Sequence, residues 1–168
     1  GIAGMSGAIS LLYGAQDLAT AQLCQRAMLL TAGPLIAGFV RFSSHLLHLQ
    51  QRGAERYAYG LAGTAVVLGL LPGLVFTQRT IHHRSEWFGL DYVAGAFALP
   101  VFGFLLAVVA LFVHLLQTFW RHRDRVGEDA GLLFAMFCLW FAASLSDMLV
   151  GIEVYEAPLL IGAGYGSF

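Results

Sequence analysis

Apolar residues fall along this chain in long runs separated by short polar stretches, and run length, more than alternation, defines the elements. The first run, residues 1–13, is broken only by Ser6 and Ser10. A short stretch at 14–25 holds Asp17 and small polar residues and reads as a loop. Helices are then predicted over residues 26–49, 57–76, 93–120 and 129–150, and a last apolar run occupies 158–168. Each of the four complete runs reaches the roughly 20 residues that a helix needs to cross the hydrocarbon of a bilayer, whereas the two terminal runs are about half that length. The pattern therefore predicts an all-α integral membrane protein. It is one transmembrane domain over 1–168, a polytopic bundle of four complete transmembrane helices with a partial helix at each end. Residue 1 is a glycine inside an apolar run, with no initiator methionine and no basic leader, so the chain reads as an excerpt of a longer protein.

Proline punctuates three of these helices. Pro34, Pro72 and Pro100 each remove a backbone donor and predict bends. The longest connection, 77–92, reads as a polar loop carrying His82, His83, Arg84, Glu86, Trp87 and Asp91. Glycines recur as Gly60-x-x-Gly63, Gly69-x-x-x-Gly73 and Gly162, Gly164 and Gly166, positions that allow close helix approach or a homodimer contact in lipid.

Composition agrees with the pattern. The chain is 58% hydrophobic and 11% charged, with a mean hydropathy of +0.73, against about 45–50% apolar and about 25% charged for soluble domains. A net charge of -1 offers no basic face to nucleic acid, which leaves the lipid bilayer, a second copy or neighbouring membrane subunits as partners. All nine cationic side chains are arginine. Arg41, Arg52, Arg56, Arg121, Arg123 and Arg125 fall on the 50–56 and 121–128 side of the bundle; Arg26, Arg79 and Arg84 fall on the other. The excess sets the first side in the cytoplasm. Tyr57, Tyr59 and Trp120 then mark the inner interface, and Trp87, Tyr92 and Tyr155 the outer one. The expected location is a bacterial inner membrane, crossed several times.

Candidate chemistry is sparse. His82, His83 and Glu86, with Asp91, bring nitrogen and oxygen donors together in the outer connection, a set that a divalent metal or a pH-sensing role could use. His45 and His48 lie three apart near the inner end of their helix, and His114 sits near the inner end of another. Together they form a conceivable haem or metal pair, although interfacial histidines need no such role. Asp147 follows Ser144 and Ser146 in an apolar helix, where a carboxylate is a candidate for function. Counted from residue 129 at about 1.5 Å per residue, it lies roughly 27 Å along the helix, near the outer interface. A helix-end or interhelix hydrogen bond is favoured there over a proton relay. Cys24 and Cys138 stand alone. No nucleophile–base pair, phosphate loop, HExxH or kinase motif is present, so the chain is not expected to be an enzyme and implies no cofactor. Gly164-Tyr165-Gly166 lacks the Thr-Val and pore helix of a potassium filter.

Two stretches carry a resemblance. Asp17-Leu-Ala-Thr-Ala leads to Arg26, then to a helix with Pro34, Phe39 and Phe42. Later come Ser144, Ser146, Asp147-Met-Leu149, Gly151 and Pro158. In this order they resemble the N-terminal seven-transmembrane sensor module of bacterial signalling proteins, chiefly histidine kinases and GGDEF-type cyclases. Residues 1–13 match its second helix and the last run its seventh. The resemblance implies a sensory input domain feeding a cytoplasmic output domain, with Asp147, Ser144, His82, His83 and Glu86 as ligand or sensing candidates. The histidines His45 and His48 depart from its pattern. Alternatives of another class are a transmembrane subunit of a larger complex, with haem or pigment, or a small transporter.

Overall fold

The computed structural model describes residues 2–85 and 90–122, together with residues 131, 132, 134–136, 138, 139 and 142. Most of the helix predicted over 129–150, and the whole of the last apolar run, lie outside the described residues. The elements in chain order are α1 (Ile2–Tyr13), α2 (Leu18–Leu46), α3 (Arg52–Leu70), the single turn α4 (Pro72–Val75), β1 (Phe76–Ser85), β2 (Leu90–Phe97) and α5 (Leu99–Arg121).

Helix α2 starts well before residue 26 because Asp17 nucleates it. Its carboxylate accepts a hydrogen bond from the Thr20 N–H at 2.8 Å, satisfying one of the donors that a helix N-terminus leaves unpaired. The Thr20 amide, aided by the Thr20 hydroxyl and the Ala19 amide, holds the Asp17 carboxyl below its ordinary range. The helix runs without interruption through Pro34 to Leu46.

At its other end the chain turns back through a left-handed residue. His48 has φ 51°, its N–H donates to the His45 carbonyl at 3.1 Å, and the Leu49 N–H donates to the Ser44 carbonyl at 3.0 Å. These two bonds form a Schellman cap, with histidine where glycine is usual. A Cβ in that conformation is strained, and glycine's greater freedom in the unfolded chain offsets only part of the relief. His48→Gly is therefore expected to stabilise the protein by about 0.5–1 kcal/mol, read as a raised midpoint of thermal unfolding in detergent.

Pro72 splits the predicted 57–76 helix. Leu71, restricted by the proline that follows it, leaves the helical region at φ -109°, ψ 84°, and α4 restarts as one turn with Pro72 in its first positions. Pro100 acts the same way, standing at the start of α5 rather than bending its first half.

The stretch 77–97 corrects the all-α expectation. It contains an antiparallel hairpin, with Ile81 opposite Ala94, His82 opposite Val93, His83 opposite Tyr92 and Arg84 opposite Asp91. A two-stranded ribbon buries only one face. In β1 that requires little apolar content: Ile81 is buried while Thr77–Thr80 and His82 are exposed. A sequence so polar resembles a loop, yet the ladder satisfies its backbone.

Two apolar clusters hold the elements together. The larger joins α2, α3 and α5 through Leu29, Val40, Leu61, Ala65, Leu68, Val101, Phe104 and Leu111. Phe39 stacks on Phe112 at 6.3 Å and on Phe134 at 6.1 Å, which brings residue 134 against α2 and α5. The smaller cluster, with Leu12, Ala15, Ala21, Cys24, Tyr92 and Ala94, lies where the hairpin meets α1 and α2. Helices α2 and α5 are each long and apolar enough to cross a membrane. Along α5, Leu99, Leu106, Val113 and Trp120 are exposed at successive intervals of seven residues, the stripe that lipid would cover in a membrane.

Candidate functional site

The polar contacts of the described residues concentrate where β2 lies against the connection between α1 and α2. The element that organises them is Gln25. Inside α2 it is 3% exposed, and a buried amide requires partners for both its ends. Gly95 on β2 supplies them: the Gln25 Nε2 donates to the Gly95 carbonyl at 3.0 Å, and the Gly95 N–H donates to Gln25 Oε1 at 2.9 Å. The side chain thus pairs with Gly95 as a neighbouring strand would. A Cβ on Gly95 would sit 2.9 Å from Phe76 Cδ1, 3.1 Å from Gln22 Cγ and 3.2 Å from Gln25 Oε1, so only glycine lets the backbone come this close.

The rest of the β2 edge is covered in the same manner. The Val93 N–H donates to the Ala15 carbonyl at 3.1 Å, and Gln16 Nε2 donates to the Asp91 carbonyl at 3.2 Å. Tyr92, 5% exposed, meets Tyr13 edge-on with ring centroids 5.0 Å apart. It packs α1 to the hairpin. One residue beyond Gln25, Arg26 Nε donates to the Gly69 carbonyl at 2.8 Å. That carbonyl belongs to the last turn of α3, where a cation is favoured by the helix dipole. Gln25 and Arg26 therefore tie one turn of α2 to the hairpin and to α3 together.

The residues singled out from the sequence fare differently. Asp147, Ser144 and Glu86 lie outside the described residues. His82 is exposed on β1, and His83 follows it in the strand, opposite Tyr92 in the ladder. His45, His48 and His114 are all exposed. His48 is explained by the helix cap, and the His114 carbonyl accepts from the Thr118 hydroxyl at 2.9 Å. Among the described residues no three of His, Cys, Asp and Glu gather as metal donors.

The arrangement is suited to coupling elements mechanically. Of its residues, Arg26 figured in the sequence only as a charge and in the resemblance, while Gln25 and Gly95 were not singled out, because 14–25 reads as a loop and Gly95 as part of a helix. The missing signal was Asp17 as a helix cap: once the helix begins at Leu18, Gln25 becomes an intrahelical amide that needs a partner. No protein-family model, curated protein or solved structure matches the chain.

Proposed function

We propose that the chain is the membrane-embedded sensory input domain of a bacterial signal-transduction protein, relaying a ligand or membrane signal to a cytoplasmic output domain. The observation that carries this reading is the attachment of the hairpin. It is bound to α2 through Gln25 and Gly95 and runs directly into α5 through Ala98, so any displacement of the hairpin is a relative displacement of two membrane-length helices. A signal that binds two such arrangements with different affinity shifts their populations.

In this reading α3 is a third span. Its 19 residues rise about 28 Å, close to the roughly 30 Å of bilayer hydrocarbon, and its first turns carry Arg52, Glu55 and Arg56 at the cytoplasmic boundary. The fourth complete span of this reading is the run predicted from the sequence over 129–150, with Asp147 and Ser144 expected toward its outer end. The hairpin, with His82 and His83, lies outside a bacterial inner membrane, and the domain works as a homodimer or beside other membrane subunits.

The test is output from the full-length polypeptide in its own membrane. Phosphoryl transfer or cyclic-dinucleotide synthesis is measured for the parent, for Gln25→Leu and for Asp147→Asn, at matched membrane abundance. Gln25→Leu is expected to shift the output, and Asp147→Asn to insert and signal nearly as the parent does. Unchanged output on releasing the hairpin, or a full-length polypeptide with no output domain, rejects the relay. Lost output in Asp147→Asn alone moves the sensing site to the carboxylate.

A further inference from the structure

Buried polar groups are satisfied toward one end of α2 and left unpaired at the other. Toward its start, Gln25 has a partner for each half of its carboxamide. Hydroxyls within helices are paired as well: those of Thr31, Thr64 and Thr118 donate to the carbonyl one turn back at 2.9, 3.1 and 2.9 Å. At the far end of α2, Ser43 and Ser44 are 1% and 6% exposed, and neither hydroxyl has a hydrogen-bond partner. Gln51, the residue before α3, is in the same condition. Both ends of its carboxamide are buried and unpartnered, and its side chain gives α3 no cap bond. Among the described residues no other buried side-chain nitrogen or oxygen lacks a partner. Such groups are few in folded proteins, and each calls for an explanation.

The same stretch contains the left-handed His48, and its backbone closes on the two serines. The Leu47 N–H donates to the Ser43 carbonyl at 3.1 Å, and the Leu49 N–H donates to the Ser44 carbonyl at 3.0 Å. The closed turn thus gathers three unfavourable features: two unpaired hydroxyls, an unpaired carboxamide and a strained backbone. Opening relieves all three, because water reaches the polar groups and His48 returns to negative φ. What opening gives up is the burial of Leu47, 1% exposed, and backbone bonds that water replaces. The rest of the helix pair is pinned. Arg26 Nε donates to the Gly69 carbonyl at 2.8 Å, and the Gly33 backbone lies close against Ala62, so opening can stay local.

We propose that residues 43–51 are a latch, a turn that opens while the remainder of α2 and α3 stays packed. In the open form the bonds made by the Leu47, His48 and Leu49 N–H groups are broken, the last turn of α2 unwinds, and Ser43, Ser44 and Gln51 are hydrated. The tether between the two helices then lengthens. Elements of low local stability are the ones whose populations an outside influence shifts most readily. The latch requires neither a ligand nor an output domain, and stands apart from the sensory reading.

Residue-resolved hydrogen exchange of the chain in lipid nanodiscs is the test. Gln51→Met keeps an unbranched side chain of similar size and removes the unpaired carboxamide. It should slow exchange at the Leu47 and Leu49 amides by roughly five- to thirtyfold, because the closed turn no longer strands a polar group. Exchange at Val93 and Gly95 should not change. Gln50→Met, at the exposed neighbour, should leave Leu47 and Leu49 as they are. Ser43→Ala should slow them by more than the roughly two- to threefold that better helix propensity supplies. Three results overturn the proposal. The first is Leu47 and Leu49 amides in the parent as protected as that of Val40, which is fully buried within α2. The second is exchange that neither Gln51→Met nor Ser43→Ala slows beyond the effect of propensity. The third is faster exchange in Gln51→Met, which would mean that the carboxamide has a partner and holds the turn shut.

Discussion

Gln25→Leu is expected to destabilise the protein by about 2–4 kcal/mol and to free the hairpin from α2. Leucine fills much the same volume, so packing in α2 changes little. What is lost is the only partner that the described residues offer to the N–H and C=O of Gly95. Each buried backbone group left unpaired costs roughly 1–3 kcal/mol, and here two are stranded at once. The effect should be local before it is global: hydrogen exchange at Val93 and Gly95 accelerates first, and the unfolding midpoint in detergent falls with it. Gln16→Leu supplies the comparison. It removes one exposed bond to Asp91 and should cost well under about 1 kcal/mol. Equal losses from the two substitutions would mean that Gln25 is not what holds the hairpin in place.

Gly33→Ala is the second large effect, because the space it would occupy belongs to backbone. A Cβ on Gly33 would lie 3.0 Å from the Ala62 carbonyl oxygen and 3.1 Å from Ala62 Cα, so α2 and α3 can accept it only by moving apart. Overpacking of this kind costs about 1–3 kcal/mol. Gly69 makes an instructive contrast. A Cβ there would come within 2.6 Å of Leu30 Cγ and 2.7 Å of Leu30 Cδ2, which is closer, but a side chain can turn away where a carbonyl cannot. Gly69→Ala should therefore be milder than Gly33→Ala. Adding Leu30→Ala should relieve its clash, at the cost of a cavity, whereas no side-chain change at Ala62 should rescue Gly33→Ala. Thermal unfolding of Gly33→Ala, Gly69→Ala and the Gly69→Ala, Leu30→Ala double variant in one detergent orders them.

The apolar runs made the helices legible, since a run of apolar residues as long as a bilayer is thick favours a helix that satisfies its own backbone within lipid. Their boundaries were less so, and for identifiable reasons. Helix α2 extends to Leu18 because of a cap whose side chain looks like any loop aspartate, and α3 and α5 are trimmed by prolines that act as stops and starts where bends were expected. The hairpin was hidden by composition: Ile81, buried among exposed polar neighbours in β1, carries almost no periodic signal, and Tyr92 read as the end of a loop and Ala94 as the beginning of the next helix. Of the candidate site residues, His45, His48 and His114 are exposed, and the buried polar pairing is made by a glutamine whose partner is a glycine seventy residues away. A pairing of that range leaves no trace in local sequence.

The base of the hairpin has its own consequence. Where the ribbon leaves the helices, the Ala98 N–H donates to the Val75 carbonyl at 2.7 Å, and Phe76 and Phe97 stack with centroids 6.0 Å apart. The two chain ends are thus clasped together next to the helices, ahead of any contact farther out. An excursion closed at its own neck adds little strain to what it grows from, and lengthening such a loop carries only a small entropic charge. The neck, with the Gln25–Gly95 pair beside it, makes the far end of this connection an interchangeable cassette: the ribbon beyond His83 and Tyr92 can be swapped for one of another length or sequence while α4 and α5 keep their separation, so the tip can diversify without redesign of the helices it grows from.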